Sequence, residues 1–440
     1  MKNDLSGRGP RQLLAMLFLG MTGCLLHGGD TILPGVRYAG RFDAGPVHLP
    51  RKYRQKSPEL RGVWVATIHN LDFPLCETQA IFQQRVQALM RSLAAAHFNA
   101  VFFQVRPSCD AFYPSRLNPW SRYLTGREGR PPGNDFDPLR FLIDEAHRNK
   151  LEFHAWLNPY RVTGATELSK KAALAALAPG NFARKHPELV METMAGSMRK
   201  LTLNPGEPAV RDFITATVLE LLNNYALDGI HFDDYFYPDG MPEWADRSTY
   251  LRRNPKKLPL DDWRRGNVDL LIRSLHEKIA AFNRASGRKI RFGVSPAGVW
   301  RNRKSDPAGS PTAAHESYAL QYADTRRWVK SGWLDYIAPQ LYWHFNHDSA
   351  AYGALCDWWC DTVRGTRTDL YIGHALYRLG EKEWGRDELY HQLLYNHKHS
   401  EIKGSILFSW RSFAEPANPV MRAGGAEMLR NLWSNPVPAR

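Results

Sequence analysis

Between residues 60 and 410 the chain alternates two kinds of hydrophobic pattern. Short runs rich in β-branched and aromatic residues, apolar on both faces, occur at Leu60–Thr67, Asn99–Val105, Glu152–Leu157, Gly229–Asp233, Ile290–Ser295, Tyr336–Leu341, Leu370–Ala375 and Ser405–Trp410. Between most of them the pattern fits a period of 3.6, as in Ile81, Arg85/Val86, Leu89 and Leu93, or Leu139, Leu142/Ile143 and Ala146, which predicts helices. The second of these carries its start signal, Asp137 as N-cap with Pro138 at the first helical position. Val268–Phe282, Tyr318–Val329 and Glu388–His397 repeat the pattern, and Val420–Ser434 reads as a closing helix. Strands apolar on both faces, alternating with helices, predict a parallel sheet covered by helices. Repeated eight times, that unit predicts an α/β fold, a (β/α)8 TIM-like barrel. An open doubly wound sheet is the rival, but no glycine-rich phosphate turn follows the first run. Long βα-loop insertions, roughly 107–136, 162–207 and 236–262, follow the second, third and fourth runs, on the face where barrel enzymes place their chemistry.

The N-terminus changes the picture. Lys2, Arg8 and Arg11 precede an apolar run, Leu13–Leu19, too short to span a bilayer but shaped like the core of a secretory signal. Met21-Thr22-Gly23-Cys24 resembles the lipobox of bacterial lipoproteins, in which the cysteine becomes the acylated first residue, although Met21 stands where Leu is usual. Leu25, where an inner-membrane retention signal has Asp, makes the resemblance imply an outer-membrane lipoprotein facing the periplasm. The expected organisation is a signal peptide over 1–23, then lipidated Cys24 and a basic tether (Arg51, Lys52, Arg54, Lys56) over 24–57. A single barrel domain with its closing helix follows over 58–440.

Composition narrows the partners. Of 440 residues, 43% are hydrophobic and 23% charged, which excludes wholesale disorder and a polytopic membrane protein. Lys and Arg outnumber Asp and Glu by 58 to 44, a formal +14 that favours nucleic acid, anionic lipid or an acidic polysaccharide. An exported chain leaves the polysaccharide, with membrane contact through the lipid anchor only and no nucleic acid. Cys76 and Cys109 fall just after the first two runs, where a disulfide is geometrically open, while Cys356 and Cys360, one helical turn apart, read as buried thiols. No Cys/His spacing suits a structural zinc, and His391, His397 and His399 read as packed or solvated, so no metal is expected.

Polar residues gather where strands end: Gln104 and Arg106; Asn158, Tyr160 and Arg161; Asp233 and Asp234; Ser295; Gln340, Tyr342 and Trp343; and Trp410. Alternation sets His231, Asp233 and Tyr235 on one face of the fourth strand. Two adjacent carboxylates at a barrel mouth suit glycosidic chemistry, in which one group stabilises an oxocarbenium-like state and the other protonates the leaving oxygen. Like charges so close drive their pKa values apart. The fifth and sixth runs supply no acid, which leaves Asp233 and Asp234, or one of them with a loop residue such as Asp110, Asp239 or Glu243.

Several motifs then fall into order. Leu60-Arg61-Gly62-Val63-Trp64-Val65-Ala66-Thr67, Asn70-Leu71-Asp72-Phe73-Pro74, Asn158-Pro159-Tyr160-Arg161, Leu203-Asn204-Pro205-Gly206, His231–Pro238 and Tyr336–Trp343 resemble the glycosyl-hydrolase-like-10 family over about residues 58–415. That family comprises bacterial barrel glycosidases, many of them lipoproteins, and includes the division-site enzyme that cleaves peptidoglycan glycan strands stripped of stem peptides. The resemblance implies that substrate, and a division-site protein partner. Asp228–Pro238 also looks like the fourth-strand signature of family-18 chitinases, departing from it at His231 and Tyr235, and Gln340-Leu341-Tyr342 is similar to the Gln-x-Tyr that orients an N-acetyl group there. The Asp233-Asp234 pair looks more like that of family-84 hexosaminidases.

These parallels imply substrate-assisted cleavage. Asp233 would polarise the substrate's acetamido group and Asp234 would act as general acid, then base. Gln104, Arg106, Asn158, Tyr160, His231, Tyr235, Gln340 and Tyr342 are the candidate sugar-binding residues, with Trp343 and Trp410 as stacking platforms. Direct displacement by Asp233 is the nearest variant, and neither needs a cofactor. The competing readings are a hydrolase for another bacterial polysaccharide, a non-catalytic wall-binding lipoprotein and a lytic transglycosylase.

Overall fold

The computed structural model describes residues 30–37, 45–53 and 55–438, so the signal peptide, Cys24 and Arg54 lie outside the described residues. Eight parallel strands close into a barrel in chain order: Leu60–Val65, Ala100–Arg106, Glu152–Leu157, Gly229–Phe232, Arg291–Val294, Tyr336–Ile337, Asp369–Ala375 and Ile402–Phe408. The eighth pairs with the first, Gly404 to Leu60 through Leu407 to Val63, so no edge is left open. All eight predicted runs are strands, and the (β/α)8 fold is the one expected.

Inward-facing positions fill the barrel with Leu60, Trp64, Phe102, Trp156, Tyr336, Tyr371 and Ile406. Two glycines make this filling possible. A β-carbon on Gly293 would collide with the Tyr336 ring, and one on Gly229 with His154. Through the same interior runs a polar column. His231 Nε2 lies 3.1 Å from Trp64 Nε1 and 2.9 Å from Ser295 Oγ, and its Nδ1 lies 3.1 Å from the Tyr336 hydroxyl. That hydroxyl is 3.1 Å from His154 Nδ1, whose Nε2 is 3.1 Å from Glu152 Oε2.

Around the barrel, the helix Gln79–Ala95 buries Phe82, Val86, Leu89, Met90 and Leu93 against the strands, a stripe at helical spacing. The next helix begins at Pro138, and Asp137 accepts from the Arg140 amide at 3.1 Å, a cap worth about 1 kcal/mol. The span predicted as one helix over Tyr318–Val329 is two, Ser317–Leu320 and Thr325–Lys330. Tyr322 takes a left-handed φ of 53° between them, and the Asp324 side chain caps the second from the Arg327 amide.

The segment read as a basic tether contains a pair of strands where it is described. Asp30–Arg37 pairs antiparallel with Pro46–Pro50, and Val47 and Leu49 are buried in the main core. Their alternation spans only five residues bounded by prolines, too short to stand out as a strand. The cysteines among the described residues are all free and buried. Cys76 faces the Pro74 carbonyl and Arg85, whereas Cys109 faces Arg106 and the Arg161 carbonyl, so the disulfide left open above is not formed.

Candidate active site

The strand ends open onto a pocket of about 270 Å³ whose lining includes Trp64, Gln104, Trp156, Arg161, Asp233, Asp234, Ser295, Gln340, Tyr342 and Phe408. Its mouth is braced by Asp72, which accepts from the Ala66 amide of the first strand's end and from Ser409 Oγ and the Arg411 amide beyond the eighth. Asp233 and Asp234 are the acids lining this pocket. Of the loop acids left open by sequence, Asp110 is buried elsewhere, accepting from the Ser108 amide at 3.0 Å and Ser121 Oγ at 2.7 Å. Asp228 sits at the other end of the fourth strand, accepting from the Phe153 amide at 2.7 Å and pairing with His147.

The two neighbouring carboxylates have different surroundings. Asp233 is buried and held from three sides. Trp156 Nε1 donates at 3.0 Å, Asn158 Nδ2 at 3.1 and 3.2 Å to its two oxygens, and the Tyr235 amide at 3.3 Å. Burial raises its pKa, while the Arg161 guanidinium and these donors pull it back toward the ionised form. Asp234, half-buried at the end of the strand, has fewer compensating contacts. Burial and then the neighbouring Asp233 charge push it up to about 7, against which the Gln340 amide and Arg161 act weakly. One carboxylate is therefore fixed and hydrogen-bonded, and its neighbour holds a proton near neutrality, the division of labour that acid–base chemistry needs.

Gln104 and Gln340 are both anchored. Gln104 Oε1 accepts from the Thr67 and Ile68 amides at 3.0 and 2.9 Å, and its Nε2, buried at the pocket wall, has no protein partner. Gln340 Nε2 donates to the Ser295 carbonyl at 2.8 Å. Tyr342 and Phe408 supply aromatic wall, with ring centroids 6.1 Å apart. A second pocket of about 560 Å³ adjoins the first through shared Ile68, Arg161 and Tyr235. Arg161 lies over the exposed Tyr235 ring, 4.5 Å from its centroid. The far wall is an insertion hairpin, Val190–Ala195 with Met198–Leu203, which contributes Thr193 and Lys200, and Asn158 and Asp239 also line this second pocket. The two pockets together form an extended cleft.

Other sequence candidates lie elsewhere. His231 is fully buried in the barrel column. Arg106 is buried too, donating to the Asn158 carbonyl at 2.5 Å and to Asn118, so it supports the loop that carries Asn158. Tyr160 is buried in the main core. Trp343 and Trp410 are partly buried against that core, outside the pocket lining. In their place stand Trp64, Trp156 and Phe408, which inside apolar runs read as plain core. Period-two counting inward from Asn158 is the signal that reaches Trp156, whereas Trp64 has no polar site residue two positions on to mark it; both side chains share the inner face with the column.

The family described as glycosyl hydrolase-like 10 matches residues 59–391. The chain is 40% identical over 366 residues to glycosyl hydrolase YngK of Bacillus subtilis, covering 81% of this chain and 69% of that protein. It is also 40% identical over 381 residues to glycosyl hydrolase DigH of Escherichia coli, covering 82% and 84%. Among solved structures, alpha-L-fucosidase isoenzyme 2 from Paenibacillus thiaminolyticus is similar with a TM-score of 0.51 at 14% identity over 84% of this chain. The chain spans about half (49%) of that structure's length, and the likeness is one of fold.

Proposed function

We propose, for a chain that belongs to the glycosyl hydrolase-like 10 family and is a glycoside hydrolase, that it cleaves β-1,4 bonds in N-acetylhexosamine-containing peptidoglycan strands freed of their stem peptides. The observation that carries this reading is the unequal carboxylate pair. Asp233, fixed by Trp156 and Asn158, is placed to orient and polarise a 2-acetamido group, and Asp234, protonated near neutrality, to protonate the leaving oxygen. The acetamido oxygen then attacks the anomeric carbon as the glycosidic bond breaks, giving an oxazolinium-type intermediate. Asp234, now ionised, takes a proton from the water that opens it, so configuration is retained. Gln104, Gln340 and Tyr342 ring the sugar, and the cleft beyond Arg161 and Tyr235 accepts neighbouring residues of a chain. Arg161 and Lys200 on that wall suit a carboxylate-bearing sugar such as muramic acid.

Its place, in this reading, is the periplasmic face of the outer membrane, anchored through lipid on Cys24, with a role in wall remodelling or division and a division-site protein as partner. The test is digestion of peptidoglycan by the full chain, before and after amidase removal of stem peptides, with fragments identified by mass spectrometry. Hydrated reducing ends from the stripped sample alone support the proposal, and the terminal sugar names the bond. Anhydro ends would make the protein a lytic transglycosylase, and no products from either sample would overturn the substrate.

A further inference from the structure

On the face of the barrel opposite the cleft, two outer elements bring soft ligands together. Cys356 and Cys360 lie one turn apart on the helix Tyr352–Val363, and His399 lies in the segment leading into the eighth strand at Ile402. A ligand atom from each of the three falls within 4.8 Å of the others, and both thiols are buried. Asp357 of the same helix places Oδ1 2.9 Å from His399 Nε2. The sequence reading missed this grouping because His399 is 39 residues beyond Cys360, far outside the short spacings by which zinc motifs are recognised.

We propose that Cys356, Cys360 and His399 form a structural site for a thiophilic divalent cation, zinc by its donor set, with Asp357, whose Oδ1 contacts His399, offering an oxygen for a fourth position. Two sulfurs and one imidazole nitrogen are the donors that structural zinc takes, at about 2.3 Å for sulfur and about 2.0 Å for nitrogen. Ligand atoms within 4.8 Å of one another can close on such a centre with small side-chain adjustments. The surroundings are prepared for it. Lys56 Nζ donates to the Asn396, His399 and Ile402 carbonyls at 3.2, 2.6 and 3.0 Å, which fixes the segment bearing His399. Its ammonium also offsets the negative charge left when two thiolates and a carboxylate meet one dication. Tyr395 donates to Asp357 Oδ1 at 2.9 Å, holding that carboxylate on the cluster's side of the helix. His399 is only partly buried, its side chain 17% exposed, which gives an ion a way in. The site would fasten the helix between the sixth and seventh strands to the segment before the eighth, at the face where barrels carry stability rather than catalysis.

The test is elemental analysis of the full chain purified without chelator, together with cobalt reconstitution of the stripped protein. The proposal predicts one equivalent of zinc, a thiolate-to-cobalt charge-transfer band on reconstitution, and a melting temperature that falls on chelation and recovers with zinc. The double variant Cys356→Ser, Cys360→Ser and the single variant His399→Ala should each lose the metal and melt at the chelated temperature, whatever their activity. If the double variant fails to fold, His399→Ala decides. Less than a tenth of an equivalent of metal with no cobalt band overturns the proposal. So does a Cys356–Cys360 disulfide in the protein as isolated, or equal metal content in wild type and His399→Ala.

Discussion

The proposed reaction turns on a proton held by Asp234. At its ordinary value of 3.8, a carboxyl would be protonated in on the order of one molecule in a thousand at pH 7. Raised to about 7, it is protonated in about half of them. Raising it from 3.8 to about 7 corresponds to about 4 kcal/mol of preference for the neutral form, at about 1.4 kcal/mol per tenfold change, drawn from burial first and from the Asp233 charge second. For a general acid the sign is definite. The active form is the protonated one, so kcat/KM should fall on the alkaline side with an apparent pKa about 7. Asp234→Asn should lower kcat/KM on the natural polymer by about 10²–10⁴, the usual worth of a positioned acid. A nitrophenyl glycoside of an N-acetylglucosamine oligomer leaves without a proton, so its kcat/KM should fall far less and its alkaline limb should vanish. Equal losses on both substrates, or an alkaline limb that persists in the variant, would refute the assignment of Asp234 as the acid.

Other consequences can be checked independently. Asp233→Ala should reduce kcat by orders of magnitude while circular dichroism stays native, because Asp233 and Trp156 line the open pocket, where water can replace the lost acceptor for Trp156 and Asn158. Gln104→Glu keeps the acceptor for Thr67 and Ile68 but replaces the unpartnered amide, and should raise KM by about tenfold, the worth of one lost hydrogen bond. His374 is buried, and burial lowers its pKa from 6.5 to about 4. Between those values the unfolded chain binds a proton that the folded one refuses, so this stability is full above pH 6.5 and lost as pH falls toward 4. Its upper size is about 3 kcal/mol, and urea titrations at pH 7.5 and 5 should show the loss, flattened in His374→Gln. Arg264→Ala would leave Asp246 buried without its partner at 2.6 Å and should cost about 3–5 kcal/mol, read as a lower denaturant midpoint.

The barrel was legible because strands buried on both faces have no polar alternation to blur them, and because Asp137-Pro138 marks a helix start in local chemistry alone. Legibility failed where tertiary contacts decide. The sixth strand shrinks to Tyr336–Ile337 because Pro339 cannot donate to a ladder. The break at Tyr322 depends on a cap that only the folded chain aligns. At the site, Asp233, Asp234, Gln104, Gln340 and Tyr342 converge because strand ends in a closed barrel must face one opening. The aromatic wall was hidden, since Trp64 and Trp156 pack against the barrel interior while meeting the pocket with the same rings. His231 misled for the opposite reason: a polar residue two positions before Asp233 faces inward as well, but one layer deeper.

That deeper layer has a direction. An indole nitrogen only donates, so His231 Nε2, facing Trp64 Nε1, accepts and carries no hydrogen. His231, kept neutral by burial, therefore bears its proton on Nδ1 and gives it toward the Tyr336 oxygen. The Tyr336 hydroxyl must then point onward to His154 Nδ1, which puts the His154 hydrogen on Nε2, toward Glu152. One indole N–H at the floor of the sugar pocket thus selects the tautomers of two histidines and the rotor of a tyrosine, down to the opposite rim. Trp64→Phe would free the whole row to reverse its sense, a change visible in the ring ¹⁵N shifts of both histidines.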